Sequence, residues 1–191
     1  FAIYDIEKSN LILSRDKFGE KPLNILKTES GIFFGSEPKF IESLSQNRQS
    51  INYPKLFNYL NYGYNSVSVD TKTFKKNIIT IKPAKIYSIN NENIIQENEY
   101  WKPEIKEINI KKIKKKEIYS EIRFKLKEAL KIRLRSDVKN IFCLSGGVDS
   151  GALVSIAAKE FNLNVNTFSI IDSFSKKYNE KDLIEHTARD V

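Results

Sequence analysis

Methionine is absent from the 191 residues, and cysteine, histidine and tryptophan occur once each. Without a methionine the sequence does not hold its own translational start, and Phe1 falls inside what reads as a strand, so an internal piece of a longer protein is expected. The single Cys143 excludes an intrachain disulfide and fits a reducing cytoplasm. Lying in an expected strand, it reads as a small buried hydrophobe and not as a nucleophile. No run approaches the roughly 20 apolar residues of a membrane helix, and no signal peptide is visible, so no membrane partner is expected. Two phosphate-binding patterns are missing as well. There is no G-x-x-x-x-G-K-S/T and no G-x-G-x-x-G after a strand, which excludes a Walker P-loop and the dinucleotide fingerprint.

What remains is the composition of a folded chain. Hydrophobic residues make up 40% and aromatics 12%, enough for a substantial core in one domain or two small ones. A net charge of +8 would ordinarily raise nucleic-acid binding. Here lysine is abundant together with isoleucine and asparagine along the whole chain, which is a compositional bias, and no nucleic-acid partner is expected. The lysine run from Lys111 to Lys116 reads likewise as a solvated face.

The most informative stretch is Ile141 to Ala157. Four apolar residues, Ile141 to Leu144, run into Ser145-Gly146-Gly147-Val148-Asp149-Ser150, after which Leu153, Val154, Ile156 and Ala157 recur at helical spacing. That is strand, glycine turn, helix. The first N–H groups of a helix lack intrahelical partners, and the helix dipole adds positive charge there, so such a turn favours an anion such as phosphate. Two glycines let the backbone approach a ligand closely. The hydroxyls of Ser145 and Ser150 can donate to phosphate oxygens, and the Asp149 carboxylate can hold a Mg2+ ion arriving with them. The bland alternative is a strand-to-helix turn with Asp149 or Ser150 as N-cap.

Taken in order, residues 1–40 alternate short apolar runs with turn residues and predict an antiparallel meander. Helices are expected over Lys39–Leu44 and Tyr53–Tyr62, the latter with Leu56, Tyr59 and Leu60 on its inner face and Pro54 in its first turn. Ile78 to Ile89 reads as a hairpin with a turn or bulge at Lys82-Pro83, Asn90 to Asn98 as polar chain, and Asn98 to Lys116 as a connector. From Glu117 the period becomes helical, with Ile118, Ile122, Leu126, Ala129, Leu130 and Leu134 on the face that should pack on the strand 141–144. The helix after the glycine turn should run to about Phe161, followed by a strand over Val165–Ile171 and a helix from Lys181 that carries the only histidine, His186. Alternating strands and helices predict a parallel, doubly wound sheet.

SGGVDS resembles the pyrophosphate loop of the ATP pyrophosphatases. The first half adds Phe1-Ala2-Ile3-Tyr4-Asp5, the run Arg15-Asp16-Lys17-Phe18-Gly19-Glu20-Lys21-Pro22-Leu23, and Phe34-Gly35-Ser36-Glu37. Further on come Ile81-Lys82-Pro83-Ala84, Tyr100-Trp101, Arg133-Leu134 with Ser136-Asp137-Val138, Thr167-Phe168-Ser169-Ile170 and Tyr178-Asn179-Glu180. In this order they resemble glutamine-dependent asparagine synthetases, from the later part of the glutaminase domain into the synthetase domain. Gly151, Ala84 and Lys139-Asn140 depart from the family pattern.

The resemblance implies an α/β protein with an α+β N-terminal part: residues 1–98 as the C-terminal part of an Ntn-hydrolase glutaminase sandwich, 99–116 as linker, and 117–191 as the start of a doubly wound ATP pyrophosphatase domain. It implies ATP and Mg2+ as cofactors, aspartate and glutamine as further small-molecule substrates, and leaves room for a homodimer. Activation of the aspartate side chain as an acyl-adenylate and its amidation by glutamine-derived ammonia would give asparagine, AMP and pyrophosphate. Ser145, Gly146, Gly147, Asp149 and Ser150 match the pyrophosphate loop. Leu144 and Ile170 match positions that contact the adenosine part of ATP, and are equally readable as core strand residues. Arg15 and Asp16 read as turn-capping or ion-pairing groups rather than glutamine contacts, and Glu180 as a helix-start carboxylate or a group near the nucleotide or metal. Cys143 and His186 match no catalytic position. The glutaminase nucleophile lies upstream, so these 191 residues alone are expected to have neither activity. β-Lactam synthetases, other amidotransferases acting on another carboxylate and a non-catalytic relative are the alternatives.

Overall fold

A computed structural model describes residues 1–63, 70–104, 114–171 and 179–191. The chain divides into two compact units, Phe1–Lys106 and Glu107–Val191.

In the first unit the short alternating runs become strands: β1 (Ala2–Asp5), β2 (Asn10–Ser14), β3 (Asn24–Thr28), β4 (Gly31–Gly35), β5 (Ile78–Thr80), β6 (Lys85–Ile89) and β7 (Ile95–Glu99). They form two sheets, ordered β1-β2-β6-β7 and β4-β3-β5, with every pairing antiparallel. A single meander over residues 1–40 is therefore not what forms. The hairpins β1–β2 and β3–β4 lie in different sheets, and so do β5 and β6, which the sequence reading joined in one hairpin. The polar stretch 90–98 also holds most of an edge strand, β7. It pairs with β6 and needs no apolar face, because its backbone is satisfied from one side.

Side-chain alternation explains the layering. Along β3, Ile25 faces the first sheet and packs with Leu13, Ile81, Tyr87 and Ile89, while Leu26 faces the other way, against Ile78 and Ile41. Ile41 belongs to α1 (Pro38–Ser45), so β3 is covered on both faces. Each fully buried Leu or Ile contributes about 1.5–3 kcal/mol relative to exposure. Helix α2 (Tyr53–Tyr62) has the expected bounds, with Pro54 in its first turn and Gly63 closing it at φ 71°. Its expected inner face is not buried: Leu60 is 72% exposed, Tyr59 lies edge-on to Phe74, and the buried residue is Lys55, paired with Asp70 at 3.2 Å. A salt bridge to the segment beyond the helix sets its orientation.

Two turns carry the chain between the sheets, and they lock onto each other. Arg15 donates to the carbonyls of Lys21, Ile81 and Gly19 at 2.9, 2.8 and 2.7 Å. The Asp16 carboxylate accepts from the amides of Phe18, Glu20 and Lys21 at 3.2, 2.8 and 2.9 Å. From the second turn, Ala84 N–H donates to Asp16 O, and Tyr100 Oη donates to Arg15 O at 2.8 Å. The Trp101 ring meets Phe18 edge-on at 5.3 Å, with Lys17 Nζ over it at 5.6 Å. Arg15 and Asp16 thus act on backbone, as turn-capping groups.

The amide hydrogen bonds, that from Lys21 foremost, hold the Asp16 carboxyl below its ordinary value. A depressed carboxylate stabilises the fold above its unfolded value, near 4, and that contribution fades as pH falls through the folded value. Asp16→Ala is expected to cost about 1–2 kcal/mol at pH 7 and much less near pH 2–3. Urea unfolding at the two pH values checks this, and an equal deficit at both would contradict it.

The second unit contains α3 (Lys115–Arg133), β8 (Ile141–Cys143), α4 (Val148–Ser155), a π-helical turn over Ile156–Glu160, β9 (Asn166–Phe168) and α5 (Lys181–Asp190). β8 and β9 are parallel, with Ile141 opposite Asn166 and Cys143 opposite Phe168. Only the last turns of α3 pack as expected: Leu130 and Leu134 join Ile156, Ala157 and Phe142, while Ile122 and Leu126 stay exposed. The helix after the glycine turn reaches Glu160, but its last turn widens. Phe161 N–H reaches back to Ile156 O, and Glu160 is held to α3 by Lys127 at 2.7 Å and by Arg123.

Candidate functional site

The site forms where β8 ends. Along β8 Phe142 turns towards the core, while Ile141 and Cys143 face out. Cys143 is thus exposed, not buried as expected, because strand alternation puts it on the face that no described residue covers. Leu144 follows, only 1% exposed, and packs with Val154 of α4 and Ile184 of α5. Its N–H donates to Phe168 O at 2.9 Å and its carbonyl accepts from Ser169 Oγ at 2.7 Å, so the ends of β8 and β9 are tied at one level. Ile170, two residues past β9, is 88% exposed.

Ser145, Gly146, Gly147, Asp149 and Ser150 come together in one turn. Ser150 Oγ accepts from Ser145 N–H at 3.0 Å and lies 2.9 Å from Ser145 Oγ, which accepts from Gly147 N–H at 3.3 Å. The carbonyls of Ser145 and Gly147 also lie within 3.0 and 3.2 Å of Ser150 Oγ, so its single proton has several acceptors to serve in turn. Gly147 is the N-cap of α4, and no side chain caps the helix. Neither Asp149 nor Ser150 therefore has the capping role of the bland alternative. Gly151 N–H donates to Gly147 O, and helix geometry points the N–H groups before it out of the N-terminal end. Asp149, in that first turn, is exposed.

Gly146 N–H donates to Glu180 Oε2 at 2.9 Å. Glu180 is the N-cap residue of α5, and its carbonyl accepts from Ile184 N–H. A Cβ on Gly146 would lie 2.8 Å from Glu180 Cβ and 3.1 Å from Leu183 Cβ. One glycine of the motif is thus required by the start of α5, a contact 34 residues away that local pattern does not reveal. The other is less crowded: among the described residues a Cβ on Gly147 would meet only Ser145 Oγ, at 3.2 Å, the tip of a side chain that can turn aside.

The arrangement can hold an anion, through the amides of the turn, two hydroxyls and the dipole of α4. Among the described residues no group of three or more His, Cys, Asp or Glu side chains could hold a metal ion. Asp149 fits a different pattern, in which one or two carboxylates share Mg2+ with substrate phosphates and water. His186 is exposed on α5, and no hydrogen bond among the described residues joins it to the turn. No helix among the described residues is long and apolar enough to cross a membrane.

Comparison with known proteins agrees with the two units. Residues 1–101 match the glutamine amidotransferase domain family, and residues 121–191 match the asparagine synthase family. Over 97% of its length the chain is 31% identical to a putative glutamine-hydrolysing asparagine synthetase of Methanocaldococcus jannaschii, and covers 35% of that protein. A glutamine-hydrolysing asparagine synthetase of Bacillus subtilis is 28% identical over 98% of the chain, which covers 28% of it. An amidase of Gibberella zeae is 28% identical over 93% of the chain, which covers 26% of it. The chain spans about a third or less of these relatives. With the first unit matched almost throughout, the chain belongs to the glutamine amidotransferase domain family, and a segment similar to the asparagine synthase family follows.

Proposed function

We propose that the chain is part of a glutamine-hydrolysing asparagine synthetase, a ligase that adenylates the side-chain carboxylate of aspartate with ATP and amidates it with ammonia from glutamine. The observation that carries this is the turn at 145–150: two serine hydroxyls and backbone amides converge at the N-terminus of α4, at the ends of two parallel strands, with Asp149 in the first turn of the helix. Residues 1–98 serve as the C-terminal part of an Ntn-type glutaminase sandwich, 99–116 as linker and 117–191 as the start of an ATP pyrophosphatase domain. The two packed sheets of the first unit and the parallel pair of the second support that reading.

Ser145, Gly146, Gly147 and Ser150 hold the pyrophosphate part of ATP, which stabilises the charge of the leaving group as the carboxylate is activated. Asp149 would hold a Mg2+ ion, which would supply charge neutralisation beside the phosphates. Ile170, open at the end of β9, offers an apolar surface for the adenosine part, whereas Leu144, buried and with its N–H and carbonyl bonded to Phe168 and Ser169, supports the turn from below. A cytoplasmic location fits this chemistry. The amidase among the relatives favours one second reading, the same two-unit plan acting on a different carboxylate.

ATP–pyrophosphate exchange by the full-length protein tests the proposal. Exchange is expected to require aspartate and to fall by roughly 100-fold or more in Asp149→Ala. Exchange dependent on another acid would support the second reading. Absence of exchange with every acid tried, together with no ATP binding, would sink both.

A further inference from the structure

We infer that the Glu180 carboxylate holds the Gly146 amide of the anion seat in the 145–150 turn, so that the phosphates of a nucleotide must displace it to take that donor. The inference rests on the nucleotide reading proposed above. Of the first three amides of the turn, those of Ser145 and Gly147 donate to the turn's own serine hydroxyls, which are neutral and free to rotate. The Gly146 amide alone among them donates to a charged group from outside the turn, Glu180 Oε2 at 2.9 Å. A phosphate oxygen and a carboxylate oxygen compete for this donor, and placing both beside it brings like charges together.

The backbone at Glu180 cannot yield easily. Ile184, one turn on, is buried with Leu144 and Val154, and Glu180 Cβ would sit only 2.8 Å from a Cβ on Gly146. What can move is the outer part of the Glu180 side chain, which swings off the amide by rotation about its own bonds. Glu180 is therefore a positioning residue. Its charge sets how tightly the turn holds phosphate, and its return to Gly146 favours release of pyrophosphate.

The test is calorimetric titration of the full-length protein with Mg-ATP and, separately, with pyrophosphate. Glu180→Gln keeps the length of the side chain and an oxygen that can accept from Gly146 N–H, but removes the charge. It is expected to tighten both ligands about 5- to 10-fold at low salt, with a smaller gain at high salt. Glu180→Ala is the second variant, and tightening is expected there too. Unchanged affinity in the Gln variant would reduce Glu180 to a packing group, and weaker affinity would make its charge a helper of the nucleotide or its metal. Either result overturns the inference while leaving the nucleotide reading intact. If the wild-type protein binds neither ligand, the nucleotide reading falls, and the inference falls with it.

Discussion

Gly19→Ala is expected to destabilise the first unit by about 3 kcal/mol, a shift of roughly 10–20 °C in its unfolding temperature. Gly19 has φ +69°, where an L-residue costs about 1–2 kcal/mol. A Cβ there would also lie 2.9 Å from both Arg15 Cζ and Pro83 Cγ. The tip of an arginine normally moves aside at little cost. This one is tied to three carbonyls, of Lys21, Ile81 and Gly19, and each hydrogen bond from a charged group contributes about 1.5–3 kcal/mol. The proline ring cannot rotate away. A gain of about 0.4–1 kcal/mol from the stiffer unfolded chain offsets only part of this. Denaturant unfolding of the full-length protein, with hydrogen exchange followed in peptides from residues 15–22 and 81–101, measures the effect. A loss below about 0.5 kcal/mol would refute the account. The double variant Gly19→Ala/Arg15→Ala should lose less than the sum of the single losses, because both disturb one set of bonds.

Gly146→Ala is expected to lower ATP–pyrophosphate exchange in the full-length protein by about 100-fold or more. The added methyl would meet Glu180 Cβ at 2.8 Å and Leu183 Cβ at 3.1 Å, atoms fixed to the backbone of α5 and its cap, so the helix start must move away from the turn. The same methyl closes the space through which a phosphate approaches the Gly146 amide. Two neighbouring glycines give the comparison. Gly147→Ala meets only Ser145 Oγ, at 3.2 Å, and should cost much less. Gly151→Ala, inside α4, would place its methyl 3.9 Å from Thr187 of α5, an ordinary contact. It should raise stability by about 0.5–1 kcal/mol through helix propensity and leave exchange unchanged. Equal losses at Gly146 and Gly147 would show that the contact with α5 is not what matters.

Much of the candidate site was legible in the sequence. Four apolar residues, a serine and two glycines, then apolar residues at helical spacing can hardly be anything but strand, turn and helix, and the turn residues Ser145 to Ser150 do lie together. Most strand and helix positions were legible for the same reason, since side-chain period is a local property, but the polar edge strand β7 was not, having no apolar alternation to show it. α2 has the expected bounds and α5 starts at Lys181 as expected. The face of α2 was not legible: a lysine can lie inward once Asp70 answers its charge, and Asp70 is 15 residues away.

The sequence by itself determined the element types, the turn chemistry and the family signatures. The tertiary structure decided which strands share a sheet and what the signature residues touch. Apolar alternation is identical for a strand in either sheet, so nothing local distinguishes a meander from two sheets joined by crossovers. That choice is made by the Arg15–Asp16 turn, whose bonds reach Ile81 and Ala84, and by Leu13 and Ile25 meeting from opposite sheets. The partner of Gly146 was decided in the same way. Glu180 reaches it only because Leu144, Val154 and Ile184 close a core that brings α5 to the end of β8, and such long-range packing leaves no mark on the residues between.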